Sequence, residues 1–152
     1  MNLFVLDYDV KKCAEYHADK HVVKMLLETA QLLCGTFYFT NQADASPYKL
    51  THKNHPCSVW VRESLSNWLW ARDLGLALYD EYKHRYGKVH KSGEVIKNFI
   101  MPDLKDIGMT KRPQAMPMQY QELDTVVAYR NYYRGDKTHL LKYTKRDFPD
   151  WL

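Results

Sequence analysis

The sequence predicts an all-α protein, mainly helical, folded as one domain over residues 1–152 with two long helices and shorter C-terminal ones. Three observations carry this. Residues 10–33 contain neither Gly nor Pro, and residues 57–86 contain no Pro. Glycines stand where each of these segments should stop, at Gly35 and Gly87. The 152 residues are 45% hydrophobic and 26% charged, which suits a globular chain with one core rather than a disordered one.

Taken in order, Leu3–Leu6 is a short apolar run, either a brief strand or an extended lead-in. Asp7 or Asp9 is placed to cap a first long helix from about Val10 to Leu33. Residues 36–56 hold Asn41, Asp44, Ser46, Pro47 and Pro56 and read as loop, with an extended piece at Thr36–Thr40. Pro56 opens a second long helix that runs to Tyr86 and bends at Gly75. A short third helix covers Ser92–Ile100. Gly108, Pro113 and Pro117 then make 105–119 a loop. A fourth helix spans Leu123–Arg134, closed by Gly135. The tail to Leu152 is irregular or holds a short helix. No repeat, low-complexity tract or linker divides the chain.

Composition excludes several classes. No apolar run approaches the roughly 20 residues that span a bilayer, and the N-terminus lacks the basic flank of a secretion signal. Cys13, Cys34 and Cys57 are odd in number and show no C-x-x-C spacing, which argues against a disulfide framework and a zinc knuckle and fits a reducing cytoplasm. A formal charge of +4 permits nucleic-acid binding without diagnosing it. Twelve tyrosines, part of a 14% aromatic content, either build a core or offer stacking faces.

On a helical wheel at about 100° per residue, His17, His21, Lys24, Glu28 and Gln31 fall within roughly 40° of one line. Val22, Val23, Leu26, Ala30 and Leu33 lie opposite. So narrow a polar band, on a helix apolar around most of its girth, resembles the floor of a cleft. Three readings stay open. The band is a solvated face; or it is a catalytic or binding face with Glu28 as acid/base group; or His17 and His21 hold a metal with Glu28 as third ligand. The H-E-x-x-H pattern is absent, so no metal or cofactor is expected.

Other polar clusters flank the long helices. Either Asn54 or His55 caps the second helix, or the loop that holds His52, Asn54 and His55 delivers imidazoles to the first-helix cleft. Arg85, Lys88, His90 and Lys91 form a basic knuckle that suits a helix C-terminus or holds phosphates. Residues 129–152 interleave Arg130, Arg134, Lys142, Lys145 and Arg146 with Tyr129, Tyr132, Tyr133, Tyr143 and Trp151. Such a tail either grips single-stranded nucleic acid or is pinned to the core by its aromatics.

Ala18-Asp19-Lys20-His21 followed by Glu28 resembles the Ala-Asp-x-His…Glu run on the first long helix of the phage pyrimidine-dimer DNA glycosylases of the endonuclease V type. Tyr129-Arg130-Asn131-Tyr132-Tyr133 is similar to that family's C-terminal Tyr-Lys-x-Tyr-Tyr. The chain also looks like a group of uncharacterised phage proteins, which would place it in the host cytoplasm. The resemblance spans most of the chain. It implies an all-α DNA-repair fold whose N-terminal α-amine attacks the sugar of a flipped nucleotide while the helix Glu serves the chemistry. Glu28 matches that Glu. The family's amine sits on a small residue exposed by loss of Met; here Asn2, by its bulk, should leave the amine on Met1. Leu27 and Gln31 stand where the family has arginines.

The expectation is therefore a DNA glycosylase/AP lyase that binds DNA with low specificity. Glu28, Met1 and His21 are its catalytic candidates. His17, Lys24, Gln31, His55, Arg85, Lys88, His90, Tyr132 and Tyr133 are its substrate contacts. The rivals are a non-catalytic nucleotide- or partner-binding protein that uses the same cleft, and a metal hydrolase built on His17 and His21.

Overall fold

A computed structural model describes residues Met1–Leu152 as six α-helices with no strand. They are α1 (Val10–Tyr16), α2 (Asp19–Phe37), α3 (Pro56–Glu63), α4 (Leu65–Tyr86), α5 (Lys91–Lys97) and α6 (Thr125–Asp136). Single 3-10 turns lie at Ala43–Ala45, Met118–Tyr120 and Thr138–Leu140.

Both long predicted helices are broken once. The first divides at His17 and Ala18, whose ψ of 132° and 156° are extended. Asp9 caps α1 by accepting from the Lys12 amide at 3.0 Å. Across the break, the Asp19 N–H reaches the Lys142 carbonyl at 2.8 Å, so the chain end replaces the helical partner. The second divides at Ser64, φ −153°. Ser64 Oγ and Ser66 Oγ donate to Asp106, and the Leu65 N–H bonds the Lys105 carbonyl. In both places a distant loop satisfies the backbone and lets the helix stop.

Gly35 does not end α2, which runs on to Phe37, and Thr36–Thr40 is helix and turn rather than extended chain. Gly75 causes no break in α4. A Cβ there would lie 2.7 Å from Ile96 Cδ1 and 3.2 Å from Thr29 Cγ2, so the glycine lets α5 and α2 approach. Gly87 does end α4, with the left-handed φ of 63° that favours glycine. Asp124 caps α6 through Val126 and Val127 N–H, and Gly135 sits inside that helix.

α2 is the central element, packed on α3, α4 and α5, with α1 against α4. One cluster of 26 buried apolar residues includes Trp68, Phe37, Tyr129 and Tyr133 and runs from the N-terminal segment to the C-terminal tail. Leu3–Leu6 is the extended lead-in; it threads through this core, fully buried. Cys13, Cys34 and Cys57 are free thiols, all buried. Tyr129, Tyr133 and Tyr143 are buried too, so the aromatics of the C-terminal region pin it to the core. No helix is long and apolar enough to cross a membrane.

Candidate active site

The polar band of α2 is split by its surroundings. Val23, opposite the band on the wheel, is 38% exposed and Leu27 41%, so the helix shows solvent that side together with Lys24. His21 and Glu28 turn the other way, beneath the N-terminal segment, and are 5% and 8% exposed. They form the floor of a cavity of about 280 Å³, with Lys24 and Met25 beside them. That volume is near the lower end of small-ligand sites. Met1, Asn2 and Phe4 make one wall; Ala115, Tyr132 and Lys137 make the other.

Within the cavity the Met1 α-amine lies 3.1 Å from Glu28 Oε1. The Glu28 side chain is nearly withdrawn from solvent, at 10% exposure. A carboxylate so placed would be costly alone, so it depends on the amine as its charge partner. Glu28 Oε2 is buried and has no hydrogen-bond partner, leaving one carboxylate oxygen free to take a proton or a ligand donor.

Asn2 fixes the chain one residue from the amine. Its amide donates to the Ala115 carbonyl at 2.8 Å. Its oxygen accepts from the Leu3 N–H at 2.7 Å and from the Tyr129 hydroxyl at 2.8 Å. The sequence offered no sign of this role, because the partners lie 113 and 127 residues away.

His21 is held from both sides. Its Nδ1 is 2.7 Å from the Tyr133 hydroxyl, and the Phe4 ring lies 4.6 Å away, centroid to centroid. Burial, with His17, Lys137 and Lys24 nearby, pushes its pKa down to about 3. Tyr132 lines the cavity with its ring stacked on Phe4 at 5.8 Å, and Lys137 Nζ sits 4.7 Å from the Tyr132 centroid. His55 caps α3 by accepting from the Cys57 N–H at 3.1 Å. It senses the pair: burial lowers its pKa, the Met1 ammonium lowers it further, and Glu28 opposes both.

Several expected contacts lie elsewhere. His17 belongs to the end of α1, not to the α2 stripe. It is fully buried, with Nδ1 2.6 Å from the Cys13 carbonyl oxygen, and burial pushes its pKa down to about 4. Gln31 does not line the cavity. Arg85 cannot meet phosphate: its side chain is fully buried, bonded to Asp19 at 3.0 Å and to the His17 and Glu15 carbonyls, with Glu81 at 3.4 Å. His90 caps α5, and both ring nitrogens are engaged, with the Ser92 N–H and the Val23 carbonyl. Lys88 is exposed but not at the cavity. Tyr133 is buried behind His21 rather than offered to a ligand.

Asp19 was quoted only for the motif resemblance, yet it is the hub of the interior ion network. Burial would raise its pKa, but hydrogen bonds from Thr144 and Arg85 outweigh that and hold it below the usual carboxylate range. A larger open groove, about 610 Å³, passes Glu15 and residues 145–150. Its Arg146 is already paired with Glu81 and Glu15, and its Lys145, Asp147 and Asp150 are exposed, unlike the buried Glu28.

No three His, Cys, Asp or Glu side chains are grouped to hold a metal ion. The chain matches no protein-family model, no curated protein and no solved structure.

Proposed function

We propose that this chain is a DNA glycosylase/AP lyase in which the Met1 α-amine is the nucleophile and Glu28 its proton partner. The observation that carries the reading is the 3.1 Å amine–carboxylate pair inside a cavity large enough to admit part of a nucleotide. It joins the two groups that the resemblance to the endonuclease V-type enzymes names.

In the proposed reaction the ammonium gives a proton to Glu28 and the neutral amine attacks the sugar C1′. The N–C1′ bond forms as the glycosidic bond breaks, and the departing base takes up the proton from Glu28. A second amine proton moves to the ring oxygen as the C1′–O4′ bond opens, leaving a protonated imine. Loss of a C2′ proton then expels the 3′ phosphate. Lys24 and Lys137, at the cavity rim, supply phosphate contacts.

Borohydride trapping on abasic-site and dimer-containing DNA tests this. The expected result is a covalent adduct that maps to Met1 by peptide mass. Glu28→Gln should lower adduct formation by about 100-fold or more, the scale of a general acid–base group. Neither adduct nor strand cleavage on any of these DNAs would overturn the reading.

A further inference from the structure

We propose that Tyr133 is a positioning residue that fixes His21 as the neutral, Nε2-protonated tautomer, so that His21 offers a hydrogen bond to an oxygen of the ligand in the cavity.

Hydrogen-bond accounting around one hydroxyl assigns the tautomer. The Ala18 N–H donates to Tyr133 Oη at 3.2 Å, so that oxygen is already an acceptor. Tyr133 is fully buried, and its phenol hydrogen must find a partner or go unpaired. The only other polar atom bonded to it is His21 Nδ1 at 2.7 Å. The phenol therefore donates and Nδ1 accepts, which leaves the ring's proton on Nε2. The reverse arrangement would strand the phenol hydrogen in the core without a partner.

The surroundings keep the ring in that state. Protonating Nδ1 would break the phenol's donation and add a charge under Phe4, near Lys24, Lys137, His17 and His139. Burial also holds the Tyr133 phenol in its protonated form. With Nδ1 occupied, Nε2–H is the polar group His21 has left for the cavity it lines with Glu28. A neutral imidazole is a donor that stays a donor throughout turnover, and it adds no charge to compete with the amine for Glu28. Proton movement is thereby left to Glu28, whose Oε2 is unpartnered.

The catalytic part of this inference rests on the lyase reading; the tautomer does not. Two measurements separate them. In ¹⁵N–¹H spectra of ligand-free wild type, His21 should show the Nε2–H pattern and should not titrate between pH 7.5 and 4.5. Tyr133→Phe should lose the tautomer preference. An Nδ1–H pattern, or titration near 6.5 in wild type, would overturn the proposal, and this needs no variant to fold. In borohydride trapping on abasic-site DNA, His21→Gln keeps an N–H near the Nε2 position and should stay within about 10-fold of wild type. His21→Ala should fall by about 100-fold, the scale for one lost preorganised donor. Equal losses in Gln and Ala would refute the donor role. No adduct even in wild type would overturn the lyase reading, while the spectra would still decide the tautomer.

Discussion

The Tyr129 hydroxyl donates to Asn2 Oδ1 at 2.8 Å and accepts from the Ala115 N–H at 3.2 Å, tying α6, the loop at Ala115 and residue 2 into one clamp beside the Met1 amine. Tyr129→Phe should leave that N–H and carbonyl oxygen short of partners and lower stability by about 1–3 kcal/mol in urea titrations. Asn2→Leu, bulky enough to keep Met1 by intact mass, should lower both stability and the rate of adduct formation. Stability losses with an unchanged adduct rate would show that the clamp holds the fold without positioning the amine.

Arg85→Met should cost far more than a surface charge change. It leaves Asp19 and Glu81 buried without their shared cation. Breaking a buried pair from one side typically costs about 3–5 kcal/mol, readable as a fall in the urea midpoint. Duplex DNA affinity of the folded fraction should not change, because this guanidinium faces the interior.

Stability should fall with acid between pH 6.5 and 4. His17 and His21 titrate near 6.5 when unfolded, but at about 4 and about 3 in the folded chain. In that window the unfolded state binds more protons, so the contribution is fully present above pH 6.5 and is lost as pH falls through the folded values. By pH 4 each histidine should have removed about 3 kcal/mol. Urea titrations from pH 7 to 4.5 should show a shallower slope in His17→Gln than in wild type; parallel slopes would contradict the assignment.

DNA affinity should fall steeply with salt, through Lys24 and Lys137 at the cavity rather than through the arginines of residues 129–152. Arg130, Arg134 and Arg146 are spent on Asp7, the Trp151 carbonyl and Glu81. Lys24→Gln and Lys137→Gln should each reduce the log–log salt slope by about 0.9. An undiminished slope in both would place the phosphate contacts elsewhere.

Long segments free of proline and ended by glycine signals determined the all-α class, and helical periodicity put His21, Lys24 and Glu28 on one face, because a residue's angle on a helix depends only on its offset from its neighbours. Capping chemistry was equally local: Asp9 and Gly87 do what their positions imply. Tertiary structure decided the rest. Nothing near His17 announces that the helix stops there, since the carbonyl that receives the Asp19 N–H belongs to Lys142. Arg85 reads as a cation at a helix end until α2 brings Asp19 against it, 66 residues away in sequence. Glu28 meets the Met1 amine only because the apolar Leu3–Leu6 segment is drawn through the core and carries the chain end over α2. Burial makes these partners obligatory, since an unpaired charge or hydrogen-bond donor cannot turn to water there. A sequence shows which groups will need partners; the packing of distant segments decides which partners they find.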